Sequence, residues 1–127
     1  MQIVDLSIGI SSMHNSDLSA VASIERRSYD FPWSENIFKD CLLSGYICLV
    51  AKRNDLLVGY TILSFALDEA HILNFCIDKD HRNLGFGDKM LDFLIAKSQS
   101  EGVGKIFFCL LYTSDAADDL LCVDLGG

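Results

Sequence analysis

Arg82-Asn83-Leu84-Gly85-Phe86-Gly87 lies between an apolar, strand-like run, Ile72 to Ile77, and an amphipathic, helix-like run, Asp88 to Lys97. A strand that passes into a helix through so short a turn leaves few folds open. The two glycines permit positive φ and keep side chains out of the way, so successive backbone N–H groups can converge on an anion at the helix start. The turn therefore points to a phosphorylated ligand held by backbone.

The residues around the turn extend the pattern. Ile3 to Ile10 reads as a first strand, and Asn15 or Ser16 can cap a helix from Asp17 to about Tyr29 that buries Leu18, Val21, Ala22 and Ile24. Phe31-Pro32-Trp33-Ser34 interrupts the helical pattern. Ser34 can then cap a second helix, with Ile37, Phe38, Cys41 and Leu42 as its apolar stripe and Gly45 as its end. Ile47 to Lys52 and Val58 to Phe65 read as strands joined by a hairpin turn at Arg53-Asn54-Asp55, and His71 to Ile77 as a third strand of the same meander. Beyond the glycine turn, Met90, Leu91, Leu94 and Ile95 give the next helix its buried face, Gly102 and Gly104 stop it, and Lys105 to Phe108 begins another strand. The order β-α-α-β-β-β-α-β predicts an α/β (α+β) domain, a mixed sheet flanked by helices.

Composition narrows the function classes. A chain of 127 residues, half of them hydrophobic, can build one domain with a real core. Its apolar blocks are shorter than the roughly 18 residues of a membrane span, and no basic segment precedes an apolar one at the start, so a soluble, cytoplasmic protein with no membrane partner is expected. A net charge of −8 with only 10 Lys and Arg disfavours nucleic acid. Cys41, Cys48, Cys76, Cys109 and Cys122 form no C-x-x-C pair, which suits buried reduced thiols, and His14, His71 and His81 are too scattered for a metal site.

Strand, R-x-x-G-x-G (Arg82, Gly85, Gly87) and amphipathic helix, placed after two helices and a meander, resemble the GNAT acetyltransferases. Phe31-Pro32-Trp33-Ser34, Leu67-Asp68-Glu69-Ala70 and Asn74-Phe75-Cys76-Ile77-Asp78 narrow the resemblance to RimI-type ribosomal-protein-alanine N-acetyltransferases, from about Ser11 to Phe108. The resemblance implies acetyl-CoA as co-substrate, no metal, and the N-terminal peptide of a ribosomal protein as acceptor. Backbone groups of Phe75 and Ile77 would pair with the pantetheine arm. Cys76 lies between them with its side chain turned away, and Arg82, Asn83, Leu84, Gly85, Phe86, Gly87 and Asp88 would hold the pyrophosphate. Leu84 and Asp88 depart from the polar or basic residues common there, and an acidic Asp88 opposes an adjacent phosphate. Phe31, Pro32, Trp33 and Glu69 would line the acceptor pocket, although an aromatic pair at a helix break can equally be a core anchor. The implied reaction is direct attack of the amine on the thioester, with no covalent enzyme intermediate. A GNAT acting on another amine, and a non-catalytic acetyl-CoA-binding fragment, are the alternatives.

The last residues break the pattern. Residues 109–119 and 122–127 match the in-frame translation of a transposase-type sequencing adapter, which divides the chain into a partial GNAT domain, 1–108, and a non-native tail, 109–127. Half of the net charge comes from Asp115, Asp118, Asp119 and Asp124 in that tail. In RimI-type enzymes a glutamate acting as general base follows the strand begun at Lys105, at the position of Cys109 here. The later asparagine and the tyrosine that protonates the leaving thiolate have no counterparts, since Tyr112 stands too early. On this reading the catalytic residues are unknown in this chain, and its fold is truncated at the C-terminus.

Overall fold

The structure is a computed structural model that describes residues 8–108 and, for their backbone, 121–124. Its elements are β1 (Gly9–Ser12), α1 (Leu18–Ser28), α2 (Glu35–Leu43), β2 (Ile47–Arg53), β3 (Leu56–Ala66), β4 (Glu69–Ile77), α3 (Phe86–Ser100), β5 (Lys105–Phe108) and β6 (Leu121–Asp124). The strands lie side by side in chain order and are antiparallel except β4 and β5, which run parallel because α3 carries the chain back between them. The predicted mixed sheet flanked by helices is therefore the observed architecture.

Several boundaries differ from the sequence reading. The first strand is centred later, at Gly9–Ser12, and residues 3–7 of the expected strand lie outside the described part. A short 3-10 turn, Asn15–Asp17, precedes α1. His14 occupies the expected capping position of Asn15 or Ser16: its N–H donates to Asp17 Oδ2 at 2.9 Å, and Asp17 N–H donates back to the His14 carbonyl. Ser34 caps α2 as predicted, its hydroxyl accepting from the Ile37 N–H at 3.3 Å. Gly45, at φ 81°, provides the left-handed residue after that helix. α3 begins at Phe86, two residues earlier than its apolar stripe suggested.

Two layers cover the sheet. On one face α1 and α2 bury Leu18, Val21, Ile24, Phe38 and Cys41 against Cys48, Val50, Tyr60, Ile62 and Cys76. On the other, α3 buries Phe86, Met90 and Leu94 in two clusters that hold Leu49, Ala51, Val58, Ala70, Ile72 and Ile77. Residues should alternate between these faces along a strand, and in β4 they do not. The register with β3 slips between Ile62 and Leu63, pairing Asn74 with Ile62 and Ile72 with Leu63, so Leu73 is an extra residue in β4. Leu73 and the following Cys76 both pack with the α1/α2 core, whereas Ile72 and Ile77 pack under α3.

Lys52 Nζ reaches Asp17 Oδ1 at 3.1 Å and ties the turn before α1 to β2. Burial pushes the Asp17 carboxyl up, but the hydrogen bond from the His14 N–H and the Lys52 ammonium outweigh it and hold the pKa below the ordinary carboxylate value. A lowered native pKa adds stability that is complete above the unfolded-state value of roughly 3.9 and disappears as pH falls toward the native one. Acid titration of urea stability is expected to show this limb, and Asp17→Asn to flatten it. On the adjoining strand, opposite Ala51, a Cβ on Gly59 would meet Ile77 Cδ1 at 2.6 Å and the Cys76 carbonyl oxygen at 2.8 Å. Gly59→Ala is expected to lower the unfolding free energy by about 1–3 kcal/mol, read from the denaturation midpoint, and an unchanged midpoint would show that the strands can part there.

Candidate active site

The site is built around the second half of β4. Among the described residues β5 pairs with Glu69 to Ile72, so Leu73 to Ile77 have β3 on one side and no described strand partner on the other. Asp78 N–H donates to the Val58 carbonyl at 2.7 Å, which fixes the phase of the β3–β4 ladder. In an antiparallel ladder the backbone groups point alternately to the two neighbours, so those of Phe75 and Ile77 point to the open edge. Two side chains mark that edge. Tyr29 OH donates to the Phe75 carbonyl at 2.9 Å, and Arg82 Nε donates to the Ile77 carbonyl at 2.9 Å. Burial first, and negative neighbours second, push the Tyr29 phenol up, so it stays a protonated donor. The Cys76 side chain is 3% exposed and lies in the α1/α2 core, away from the edge.

The glycine turn lies beyond this edge. The sequence suggested positive φ at both glycines, and the structure assigns it to Gly85, at φ 85°, and to Asn83, at φ 64°. Gly87 is helical and lies close to β4 instead, where a Cβ would approach Ile77 Cγ1 to 3.7 Å. The first α3 hydrogen bond runs from Lys89 N–H to the Gly85 carbonyl, so the amides of Phe86, Gly87 and Asp88 open outward from a 15-residue helix. Leu84 explains its own departure from the polar pattern: it packs against the cluster of Ala51, Val58, Ile77, Phe86 and Met90 and fastens the turn. Phe86, 1% exposed, is buried beneath the turn with the Arg53 guanidinium 5.6 Å over its ring. Asp88 is exposed in the first turn of the helix. A free strand edge followed by free helix amides can receive, in order, an extended amide-bearing arm and a diphosphate.

The break between α1 and α2 separates its two aromatics. Trp33 is half-buried on Phe38, with ring centroids 5.3 Å apart, and acts as the anchor. Phe31 is 89% exposed, and Pro32 is exposed beside it. The segment starts from Tyr29, whose hydroxyl is already on the β4 edge, so the aromatic wall and the free edge adjoin. Glu69 is carried by β4 itself. It lies at the start of β4, five residues or roughly 16 Å of strand before Asn74, with its Oε1 3.1 Å from His71 Nε2. His71 in turn stacks on Phe107.

The sequence pattern singles out neither Glu25 nor Tyr60, and it shows Asn74 only as part of the Asn74 to Asp78 motif, with no role of its own. Glu25 is 2% exposed, and its carboxylate collects hydrogen bonds from Tyr60 OH at 2.6 Å, Asn74 Nδ2 at 3.0 Å and Trp33 N–H at 3.0 Å. One signal was available: Leu18, Val21, Ala22 and Glu25 follow i, i+3, i+4, i+7 spacing, which puts a carboxylate on the buried stripe of α1. The described thiols Cys41, Cys48 and Cys76 are buried and free. Burial raises Cys41, and raises Cys48 to about 12. Among the described residues no group of His, Cys, Asp or Glu could hold a metal ion, and no helix is long and apolar enough to cross a membrane. Cys109, Tyr112 and the remainder of 109–120 lie outside the described residues. A cleft of about 230 Å³ at the β1–β2 side, lined by Ser12, Met13, Leu42, Tyr46 and Lys97 among others, is separate from this site.

The profile of the acetyltransferase (GNAT) family matches residues 13–121. The [ribosomal protein bS18]-alanine N-acetyltransferase of Escherichia coli K12 is 32% identical over 108 residues, which cover 85% of this chain and 73% of that protein. Its counterpart in Salmonella typhimurium LT2 is 34% identical over 94 residues, 74% of this chain and 64% of the relative. The crystal structure of the Escherichia coli ribosomal-protein-S18-alanine N-acetyltransferase superposes with a TM-score of 0.77 at 31% identity, over 87% of this chain and 72% of that one. The PaiA N-acetyltransferase of Thermoplasma acidophilum, solved with coenzyme A, shares the fold at a TM-score of 0.79 and 13% identity, over 93% of this chain and 99% of that one. A free β4 edge, a glycine turn opening onto helix amides and these matches lead to one conclusion: the chain belongs to the GNAT family of acetyl-CoA-dependent N-acetyltransferases.

Proposed function

We propose that the acceptor is the N-terminal α-amino group of a ribosomal protein beginning with alanine, acetylated by direct attack of the amine on the thioester. The supporting observation is the junction at Tyr29, where the segment carrying exposed Phe31 meets the free β4 edge at Phe75. An extended peptide end placed against that wall would present its amine beside an arm lying along Phe75 and Ile77. The kinship to the bS18-alanine N-acetyltransferases supports this class of acceptor.

Acetyl-CoA supplies the activated acetyl group as a thioester. Phe75 and Ile77 hold the arm through their backbone, with Cys76 between them facing the core. The Arg82 to Asp88 turn holds the diphosphate through the outward amides of Phe86, Gly87 and Asp88, and strand amides at the edge stabilise the developing oxyanion. Phe31, Pro32 and Trp33 wall the acceptor. Glu69, at the far end of β4, serves at most an outer part of a longer peptide.

Proton transfer is the missing part. An α-ammonium with a reference pKa of roughly 7.7–8.0 must lose a proton before attack, and the glutamate that does this in RimI-type enzymes falls at Cys109. Residues 109–127 are in this reading a non-native tail, so the chain keeps the cofactor half of the site and lacks the proton-transfer half.

Two experiments test this reading. Gly85→Val forces a β-branched residue into a left-handed position at about 1–2 kcal/mol, and calorimetric titration is expected to show acetyl-CoA bound about tenfold more weakly, ~1.4 kcal/mol. Equal affinity would remove the turn from the cofactor site. Grafting the C-terminal segment of the Escherichia coli relative in place of residues 109–127 is expected to raise acetylation of an alanine-initiated peptide by about 10²–10⁴-fold, with lysine peptides and small amines left slow. Equal turnover by the two chains would sink the truncation argument, and faster turnover of another amine would reassign the acceptor.

A further inference from the structure

Glu25 takes no part in the steps above, yet it links every segment that forms the acceptor side. The Tyr60 hydroxyl comes from β3, the Asn74 amide from β4 just past the slip at Leu73, and the Trp33 N–H from the α1–α2 connection, at 2.6, 3.0 and 3.0 Å. Two of these donors are immovable. Tyr60 is 0% and Asn74 4% exposed, both within the sheet. Trp33 is different: exposed Phe31 and Pro32 precede it and exposed Ser34 follows, so Glu25 is its polar tether to the core, alongside ring packing on Phe38. No described ion pair involves Glu25. Arg27, two residues on, is instead paired with Asp78 at 3.1 Å. A buried carboxylate with only neutral donors is costly unless each bond is well made, which makes the distances among the three segments stringent.

We propose that Glu25 is a positioning residue for the acceptor: it fixes the Phe31 to Trp33 wall against β4, so that the incoming amine meets the edge at Phe75. This rests on the reading of that wall as the acceptor side. Glu25 itself is enclosed and touches no ligand, and its effect passes through Trp33 and Asn74.

Trp33 is the only tryptophan in the chain, so its fluorescence reports on the wall alone. Glu25→Met keeps the volume and removes both acceptor oxygens. Acrylamide quenching of Trp33 is expected to rise about twofold, and the dissociation constant of an alanine-initiated peptide, followed by the same fluorescence, about five- to tenfold. Binding of acetyl-CoA should stay within about twofold, a split that general loosening does not produce. Glu25→Gln is expected to restore most of both readings, because its oxygen can still accept from the Trp33 N–H while its amide donates to a turned-over Asn74 amide and to the Tyr60 oxygen, whose hydroxyl has to rotate away. Should Glu25→Met fail to fold, Asn74→Leu removes one donor and is expected to show the same split. Unchanged quenching and peptide affinity, an equal loss for peptide and acetyl-CoA, or a Glu25→Gln variant as impaired as Glu25→Met would overturn the proposal. Raised quenching in Glu25→Met with no peptide binding to the parent chain would uphold the hold of Glu25 on the wall and sink the acceptor reading instead.

Discussion

One extra residue in β4 sets the phase of everything downstream of it. Without the slip at Leu73, simple alternation would turn Asn74 toward α3 and Phe75 toward α1, and the carboxylate of Glu25 would face an apolar strand. With it, Asn74 reaches the buried acid and Cys76 joins the α1/α2 core, while Ile77 passes under α3. The slip falls just past Ile72, the last β4 residue paired with β5 among the described residues. A strand end with backbone groups to spare is a hazard in most proteins. Here two side chains from different elements, Tyr29 and Arg82, rest on those groups.

The proposed cofactor half of the site is made of backbone held in place by apolar packing. Phe86 is buried and Leu84 partly buried around the glycine turn, and the two left-handed residues, Asn83 and Gly85, are what turn the chain from strand end to helix start in so few residues. The amides are then aimed by steric fit and need no side-chain ligand. The acceptor half, as proposed, works differently, through a buried polar hub whose members are spread over α1, β3, β4 and the connection after α1.

This difference explains what the sequence discloses. The glycine turn, the helix stop at Gly45 and the Ser34 cap are local, each written in a few adjacent residues, and they appear where the pattern placed them. The sheet order follows from hairpin and crossover lengths. The hub is non-local: Tyr60 and Asn74 lie 35 and 49 positions from Glu25, and no spacing rule connects them. Gly87 misleads for another reason, because a glycine in ordinary helical backbone looks the same in a sequence as one that takes positive φ. Phe31 and Trp33 are alike in composition, and only their packing separates the anchor from the exposed ring.

Ile77 lies between two glycines. A side chain on Gly59 would collide with it from β3, and one on Gly87 would touch it from α3. Its sec-butyl group therefore acts as the spacer between the last residue of the strand and the first turn of the helix. Adding a methyl at Gly59 displaces the Ile77 side chain or pushes the two strands apart, whereas one at Gly87 would only complete an ordinary contact. The spacing between the end of β4 and the start of α3 thus rests on Gly59 and Ile77, and a lineage enlarging one of them would have to trim the other in step.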